Sequence, residues 1–565
     1  MRTVALHLAL LLATAPGCRH AATSAGLPQF PTASDLERLA ATPATVPPAL
    51  EKQRRVASWT LTGPLPSEIA SAPHEHDSPA GELLAARIGD TAGLLRSAGM
   101  QCVAREFGRF WLTHAAMPTP ELETFVQARC GEPVGTLHVA LRHSDGPGAA
   151  ALTGPWRAEA ETMLGQLPRA GAAVGLWSGE QDGRSVVVAV HGERGLVLEP
   201  LPVDAGRDGV VELRGRFLAP VGGSSAHATR GAYGFSECLS VPGTVAPRFR
   251  FRCTVDPADA SVMLELSTSA PGRLLSERAM IVLVSPGKPA PGSYAARDLA
   301  RPGTPMQGRG AASFLTAIAG LREALGLRRL QHADAQSVVA ERLLPHYLAA
   351  AASGDSEVAD LVALGMIAGW QVKGGTLRDG SFLGLQLAGA ESVDLALEAA
   401  LMSPTRRAAL LDPGSAAIAL AVHDRGDASQ AIVATYHFFE TLDLAASELA
   451  LLDVLDRERA ALGKPAVIRV DGNSAPPLAA ARRAIHGGAD MNAALHDMLA
   501  QIVGTTGLGM RGLGLHTTDL ESVQFPRELL TAEHVQIDID LSQHRPAGSP
   551  WGMFLVLFLF TSDGG

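Results

Sequence analysis

The chain has 565 residues, of which 47% are hydrophobic and 18% charged, and its net charge is −10 at pH 7. At roughly 150 residues per domain, this length predicts about three or four domains. The net negative charge is spread thinly over the chain, so a nucleic-acid partner is not expected. The 59 glycines and 37 prolines indicate many turns and linkers.

The first 18 residues have the pattern of an export signal. Arg2 supplies a positive charge, and residues 4–13 form an apolar run that is too short to span a bilayer comfortably. The sequence Ala-Pro-Gly-Cys that ends at Cys18 is similar to a bacterial lipobox, which implies a lipidated Cys18 and a membrane anchor. Cys18 is followed by Arg19 rather than by the Asp that retains many lipoproteins at the inner membrane, which favours an outer-membrane location. The alternative is an ordinary cleaved signal with an incidental cysteine.

The other four cysteines fall into two local pairs. An exported protein can form disulfides, and we expect Cys102 to pair with Cys130 and Cys238 with Cys253, one of three possible connectivities. The alternative, a four-cysteine metal site, lacks any C-x-x-C spacing. No metal and no cofactor is expected.

The first half of the chain predicts a linker and then two domains. Residues 19–80 are rich in Ala, Pro, Ser and Thr and predict a flexible linker with a short helix over 34–41. His74 and His76 lie in this linker, and we expect a solvated segment there rather than a metal site. Residues 81–200 predict a helical and strand domain, with helices over 81–98, 101–115, 121–130 and 156–167 and strands over 172–177, 185–191 and 196–199.

Residues 205–290 predict an all-β domain. The segment FRFRCTV at 249–255 alternates apolar and charged residues, as a strand with one buried face does. Further strands are expected over 209–218, 262–267 and 280–284, and a small β-sandwich-like domain is the simplest fold that accommodates them. Such a domain is typical of binding or spacing. Residues 286–307 predict a second linker.

Residues 308–440 predict helices over 313–325 and 334–352 and paired strands over 416–423 and 431–440. Between these helices and strands, residues 391–413 predict a helix, a Ser-Pro turn and a second segment. Its spacing is S-P-x-R-R-x-x-L-L-x-P, formed by Ser403, Pro404, Arg406, Arg407, Leu410, Leu411 and Pro413.

This spacing resembles the S-P-x-H-R-x-x-L-L-x-P signature of the CAP superfamily, the SCP/PR-1/antigen 5 type. The resemblance implies a CAP domain with an α-β-α sandwich fold. It also implies a cleft that in many family members carries two histidines and two acidic residues, sometimes with a divalent metal. Here the family's histidine corresponds to Arg406, and its usual asparagine corresponds to Ala409.

The other cleft positions also depart from the family. Residues 353–357 hold no histidine, and residues 379–387 hold no glutamate. An arginine neither ligates a metal nor acts as a base at neutral pH. Ser403 lies in no G-x-S-x-G motif, so we expect it to cap a helix. We therefore assign no catalytic residue. Four histidines could build a replacement site, but we expect packing or surface roles for them: His332, His346, His423 and His437.

Residues 445–560 predict a further α/β domain. Several residues match the opening helix of the CAP domain at one offset of 137 positions, including Arg459 with Arg322. Two explanations stay open, a diverged CAP-like repeat and shared Ala/Leu composition, and a diverged CAP-like fold is also considered for 81–200. The apolar run at 552–560 predicts a buried terminal strand. The glycine-rich residues 504–514 lack a P-loop lysine and predict a loop.

These features predict an α+β multidomain protein that combines α-β-α CAP-like domains with a β-sandwich-like domain. The leading functional expectation is a lipid-anchored, non-catalytic envelope protein that binds a protein, a polysaccharide or a lipid. One alternative is a metal-dependent hydrolase or protease with a relocated His/Asp/Glu site. The other is a structural spacer in the envelope.

Overall fold

The structure, a computed structural model, describes residues 30–45, 53–70, 78–88, 95–165, 171–271, 275–296, 308, 310–388, 393–425, 428–439, 443–470, 475–506, 510–518, 520, 523, 525–546 and 548–562. They divide into two compact units. The first comprises Pro31–Lys373 and Gly380–Tyr436, and the second contains Gly374–Asp379 and His437–Gly565, with Phe30. The proposed signal peptide and Cys18 lie outside the described residues. None of the helices in the described ranges is long and apolar enough to cross a membrane.

The prediction of a flexible linker over 19–80 is wrong for residues 53–70. After α1 (Ala33–Ala40), this stretch contains β1 (Gln53–Arg54), β2 (Ser58–Thr60) and β3 (Glu68–Ile69). Each strand pairs with a distant partner: β5 (Met117–Pro118), β17 (Ser293–Ala295) and β10 (Leu201–Pro202), respectively. Trp59 also donates a 3.2 Å hydrogen bond to the buried Glu106. Long-range pairing of this kind leaves little local pattern in the sequence.

The first α/β domain is a four-stranded sheet between two helical layers. The sheet order is β4-β7-β8-β6. Alternate residues of β8 pack into different hydrophobic clusters, Val186 and Val188 with α3 and α4, Val187 with α2 and α5. The elements are α2 (Pro79–Ile88), β4 (Leu95–Arg96), α3 (Ala98–His114), α4 (Pro120–Cys130), β6 (His138–Asp145), α5 (Pro155–Gly165), β7 (Ala172–Gln181) and β8 (Arg184–Glu193). The helix predicted over 81–98 is therefore too long, because Leu95 and Arg96 form a strand and Ser97 caps α3.

The β domain is one hydrogen-bonded sheet of seven strands in the order β16-β15-β12-β13-β14-β11-β9. Strand β13 pairs with β12 through residues 234–238 and with β14 through Leu239 and Ser240. It therefore joins two halves that enclose one shared core, as the layers of the predicted β-sandwich-like domain do. The elements are β9 (Leu196–Leu198), β11 (Val210–Phe217), β12 (Gly223–Arg230), β13 (Gly234–Ser240), β14 (Arg248–Thr254), β15 (Val262–Ser269) and β16 (Glu277–Val284).

The third region contains the Ser-Pro segment and a four-stranded sheet in the order β18-β20-β21-β19. Helices α6, α9 and α10 share a hydrophobic cluster with strand residues that include Ile418 and Val433. The elements are α6 (Ala311–Ala324), β18 (Gln331–His332), α7 (Asp334–Ser353), α8 (Ser356–Ala368), β19 (Leu377–Ala388), α9 (Val393–Leu401), α10 (Pro404–Leu411), β20 (Ala417–Arg425) and β21 (Ala428–Phe438).

The C-terminal region is an α-β-α sandwich with the sheet order β22-β24-β25-β23. The predicted terminal strand is β25, and both of its faces are covered. Leu555, Leu557 and Leu559 pack with α12 and α13, while Phe554, Val556, Phe558 and Phe560 belong to the cluster of α11 and α14. This explains its uninterrupted apolar sequence. The elements are α11 (Leu444–Ala461), β22 (Ile468–Arg469), α12 (Ala475–His486), α13 (Met491–Thr506), β23 (Arg511–Thr517), α14 (Arg527–Thr531), β24 (Val535–His544) and β25 (Met553–Ser562).

Three sheets share one strand order. In each, a two-residue strand runs parallel to the first strand of a long hairpin, and the hairpin's second strand pairs with the remaining strand of the sheet. The predicted α+β multidomain class is confirmed. The assignment of 81–200 and 445–560 as CAP-like repeats stays a prediction, to which the shared strand order adds an observation.

Candidate functional site: the Ser403–Pro413 segment

The Ser-Pro turn separates helices α9 and α10. Ser403 has an extended backbone, and its Oγ accepts a 3.2 Å hydrogen bond from the backbone N–H of Arg406, as an N-cap does. Pro404 occupies the first turn of α10, where its missing N–H costs nothing. The segment is thus a capped helix start, as its sequence predicts.

The Ser403 hydroxyl also contacts the β domain. It donates a 2.6 Å hydrogen bond to Oε2 of Glu265 on β15. Both residues are only 3% exposed. A hydroxyl held between a helix N-terminus and a buried carboxylate joins two domains, and its hydrogen bonds within the described residues include none to a histidine that would activate it as a nucleophile.

Arg407 is the most extensively bonded residue of the segment. It is 1% exposed, and its guanidinium donates to the carbonyl oxygens of Leu401, of Gly234 at 2.9 Å and of Gly231 at 3.3 Å. Gly231 lies in the turn between β12 and β13, and Gly234 is the first residue of β13. Arg407 therefore ties α10 to a hairpin of the β domain.

Arg406, at the position of the family's histidine, is half-buried beside charged and aromatic groups. Burial and the neighbouring charge of Arg278 lower the pKa of Arg406, while Glu265 and Tyr347 raise it. Burial raises the pKa of Tyr347, against the charge of Arg406. At neutral pH an arginine remains protonated even with a lowered pKa. The position carries a fixed positive charge.

The far end of the segment is held by a residue whose role the sequence did not reveal. Arg322 of α6 is fully buried and donates to the backbone oxygens of Leu410 at 2.7 Å and Asp412 at 3.1 Å, and to that of Arg328. Leu410 and Leu411 are buried, whereas Pro413 is exposed after the helix end.

Arg459 makes the same kind of contacts in the C-terminal region. It is also fully buried, and it donates to the backbone oxygens of Leu529 in α14 and of Ala532 and Glu533 after that helix. Its Nε donates to the carbonyl of Pro465, six residues further on, as Arg322 does to that of Arg328. The offset of 137 positions in the sequence is the signal that could have predicted this similarity, because it aligns Arg459 with Arg322. The two arginines have the same structural role.

A small cavity adjoins the segment. Its volume is about 180 Å³, and it is lined by residues that include Met402, Arg407, Glu398 and Tyr294. Pockets for drug-sized ligands are typically about 300–1,000 Å³. This cavity is thus smaller than a typical site for such a ligand.

The structure places the four remaining histidines in different settings. His332 contacts Asp334 at 2.5 Å and Ser337 at 2.9 Å. His346 is buried, and burial lowers its pKa. His423 is half-buried on β20. His437 is 7% exposed, and its Nδ1 is hydrogen-bonded to Asp379.

Asp379 is therefore the acidic partner of His437. It lies in residues 379–387, which hold no glutamate. Its pKa is lowered overall: burial opposes ionisation, but the hydrogen bond and charge of His437 and the charge of Arg378 outweigh it. Within the described ranges, no three or more His, Cys, Asp or Glu side chains form a group that could hold a metal ion.

A histidine stack in the C-terminal region was missed by the sequence analysis. The rings of His486 and His544 are parallel with centroids 4.5 Å apart, and His516 lies 4.9 Å from His544. Three distant elements supply these residues, so no local spacing signals the stack. Burial and the neighbouring histidines lower the pKa of His544 to about 4.

The described cysteines form two disulfides, Cys102–Cys130 and Cys238–Cys253. The first joins α3 to α4, and the second joins β13 to β14 near the point where β13 changes partner. Two disulfides are consistent with an extracellular protein.

Comparisons with known proteins give a faint structural similarity. No protein-family model matches the chain, and no curated protein matches it. Among solved structures, a cysteine-rich secretory protein from Staphylococcus aureus subsp. aureus Mu50 matches with 11% identity and a TM-score of 0.17. The match covers 47% of this chain and 85% of that one.

Proposed function

We propose that this is an exported, lipid-anchored envelope protein whose degenerate CAP-like domain binds rather than catalyses. The observation that carries the proposal is the use of the signature residues in packing. Ser403 and Arg407 are bonded to the β domain, and Arg406 replaces the family's histidine. Residues committed to buried contacts of this kind are unavailable to a substrate.

Binding surfaces exist elsewhere on the molecule. An open groove of about 1,140 Å³ runs along α11, lined by apolar residues such as Leu451 and Val454 and by the charged Asp453, Asp456 and Arg457. This supports a binding role for a protein, a polysaccharide or a lipid. Recovery of a stoichiometric envelope component by cross-linking to the full chain, and its loss on Val454→Arg, is the expected result. If nothing is retained, the spacer function is favoured instead.

The membrane anchor has its own test. Cell fractionation should find the wild-type chain in membranes and the Cys18→Ser variant released from them, since acyl chains contribute roughly 0.8 kcal/mol per buried CH₂. Outer and inner membranes separate on a density gradient, and the outer fraction is expected. A Cys18→Ser chain that stays with the membranes contradicts lipidation at this residue.

A metal-dependent hydrolase is the second candidate, and the half-buried pair of His437 and Asp379 favours it. A carboxylate that orients a histidine is a common arrangement in acid–base catalysis. Metal analysis of the purified chain, with and without chelator, is the test. A stoichiometric ion that supports hydrolysis and is lost in His437→Ala would establish the enzyme and overturn the binding proposal.

A further inference from the structure

One half of the β sheet presents arginines to solvent, although the whole chain has a net charge of −10. The outward side chains of β11 and β14 include five arginines: Arg214, Arg216, Arg248, Arg250 and Arg252. We call the outward side of β9, β11, β14 and the end of β13 the basic face. Its acidic residues are Glu212 within it and Glu199 and Glu237 beside it.

The strand register places like charges directly opposite each other. Arg214 lies opposite Arg250, and Arg216 lies opposite Arg248. Directly opposed like charges destabilise a sheet. Glu212 offsets part of this, because it pairs with Arg214 at 2.7 Å and also with Arg250.

Arg216 and Arg248 lack such compensation, and Arg252 lies opposite Glu212 in the register without an ion pair to it. Arg216, Arg248 and Arg252 are exposed, and none of their side chains has a hydrogen bond or ion pair to the described part of the chain. An ordinary solvated face mixes charges of both signs. This one keeps an unbalanced positive group at a cost in stability, and an anionic partner would remove that cost.

Exposed aliphatic side chains border the same arginines. Leu239 is 71% exposed and lies opposite Arg252, and Val197 is 39% exposed and lies opposite Arg216. Val245, 75% exposed, lies in the turn that leads into β14, and Leu218 follows β11. Basic residues beside exposed apolar ones match the headgroup region of an anionic bilayer. A soluble polyanion offers nothing to the apolar side chains.

We propose that the basic face docks on an anionic lipid surface, with the arginines at the phosphates and the aliphatic side chains at the headgroup boundary. This contact lies on a different surface from the Ser403–Pro413 segment. It does not depend on lipidation of Cys18, so either proposal can fail alone.

The test measures binding of the full chain to phosphatidylglycerol and phosphatidylcholine vesicles by vesicle sedimentation. Every chain carries Cys18→Ser, and the chain with no further change serves as the wild type with which the charge variants are compared. The triple variant Arg216→Gln, Arg248→Gln, Arg252→Gln removes the three arginines without internal partners. A near-surface basic residue changes membrane affinity about fivefold, so the triple variant should bind phosphatidylglycerol roughly a hundredfold more weakly. Wild-type binding should weaken as salt rises.

The matched control changes three exposed arginines outside the basic face, Arg157→Gln, Arg483→Gln and Arg527→Gln, and should bind as wild type does. Loss of fold is excluded by the melting temperature, which should not fall in the test variant because opposed like charges are removed. Equal binding by test and control variants overturns the proposal. Wild-type binding to a sulfated polysaccharide but not to phosphatidylglycerol vesicles overturns it as well, and makes the face a polysaccharide site.

Discussion

At the residue scale, the Ser403–Pro413 segment shows how a signature can be kept while its chemistry is lost. Ser403, Pro404 and the two leucines perform the local tasks that the sequence predicts, a cap, a first turn and a buried helix face. The partners Glu265 and Gly234 lie in the preceding β domain, 138 and 173 positions from Ser403 and Arg407, so no local spacing could predict these contacts. What the segment does locally could be predicted, and what it contacts could not.

The bond between Ser403 and Glu265 should be measurable as a coupling energy. Ser403→Ala removes both an N-cap, worth about 1 kcal/mol, and a donor to a buried carboxylate, worth about 1.5–3 kcal/mol. A double-mutant cycle with Glu265→Gln, followed by urea denaturation, should give a coupling of about 1–3 kcal/mol. Thr32→Ala, which removes an exposed cap on α1, should cost only about 1 kcal/mol. A coupling near zero would show that the two residues act independently.

Arg407 should be far more important for stability than its neighbour Arg406. Arg407→Met leaves three buried carbonyl oxygens without their charged donor, which should lower the free energy of unfolding by about 3 kcal/mol or more. Arg406 donates no side-chain hydrogen bond to the described residues, so Arg406→Met should change it by less than about 1 kcal/mol. Urea midpoints of the two variants provide the comparison. Equal losses would mean that the contacts of Arg407 add no stability.

At the scale of elements, strong local patterns were reliable guides. The alternation in FRFRCTV corresponds to β14 with Phe249 and Phe251 inward, and the apolar run near the C-terminus corresponds to β25. Two-residue strands such as β4, β18 and β22 have no pattern that could be recognised. The common strand order of the three sheets therefore became visible only in the structure.

Removing either disulfide should destabilise the domain that contains it, to an extent that depends on loop length. Cys102 and Cys130 are separated by 28 positions, and Cys238 and Cys253 by 15. Chain-entropy arguments give about 3.6 kcal/mol for the longer loop and about 3 kcal/mol for the shorter one. The variants Cys102→Ala/Cys130→Ala and Cys238→Ala/Cys253→Ala should both melt at lower temperatures, and a reductant should no longer affect the altered pair. Melting temperatures that match wild type would show that the thiols are not bridged in the native protein.

At the scale of the whole molecule, the chain forms two compact units, and the histidine stack belongs to the second. Within it, His486, His516 and His544 all have lowered pKa values, caused first by burial and then by neighbouring charges. The unfolded chain thus binds protons more readily than the folded unit between about pH 6.5 and about pH 4. The stability that the neutral stack contributes is present above this window and is lost as pH falls through it.

Acid should therefore loosen the second unit around the stack. The raised pKa of buried Asp540 acts in the opposite direction, because its folded form retains a proton more readily, and Arg482 pairs with it at 2.6 Å. The raised pKa values of Glu448 and Glu458 act in the same direction as that of Asp540. The lowered pKa values of Asp379 and Glu533 act in the direction of the three histidines, so five of these groups favour loss of stability in acid and three oppose it. Hydrogen exchange at pH 7 and pH 5, corrected for intrinsic rates, should show protection lost in β23, β24 and α12 before the strands β20 and β21.

The variant His544→Gln removes the central ring of the stack and should flatten that pH dependence while the protein stays folded at pH 7. His423→Gln, on β20 of the other unit, is the matched control and should leave it unchanged. Because like charges on adjacent stacked rings repel most strongly at the central position, His544 should have the largest effect of the three histidines. Equal loss of protection in both units at pH 5, or an unaltered profile in His544→Gln, would locate the acid sensitivity elsewhere.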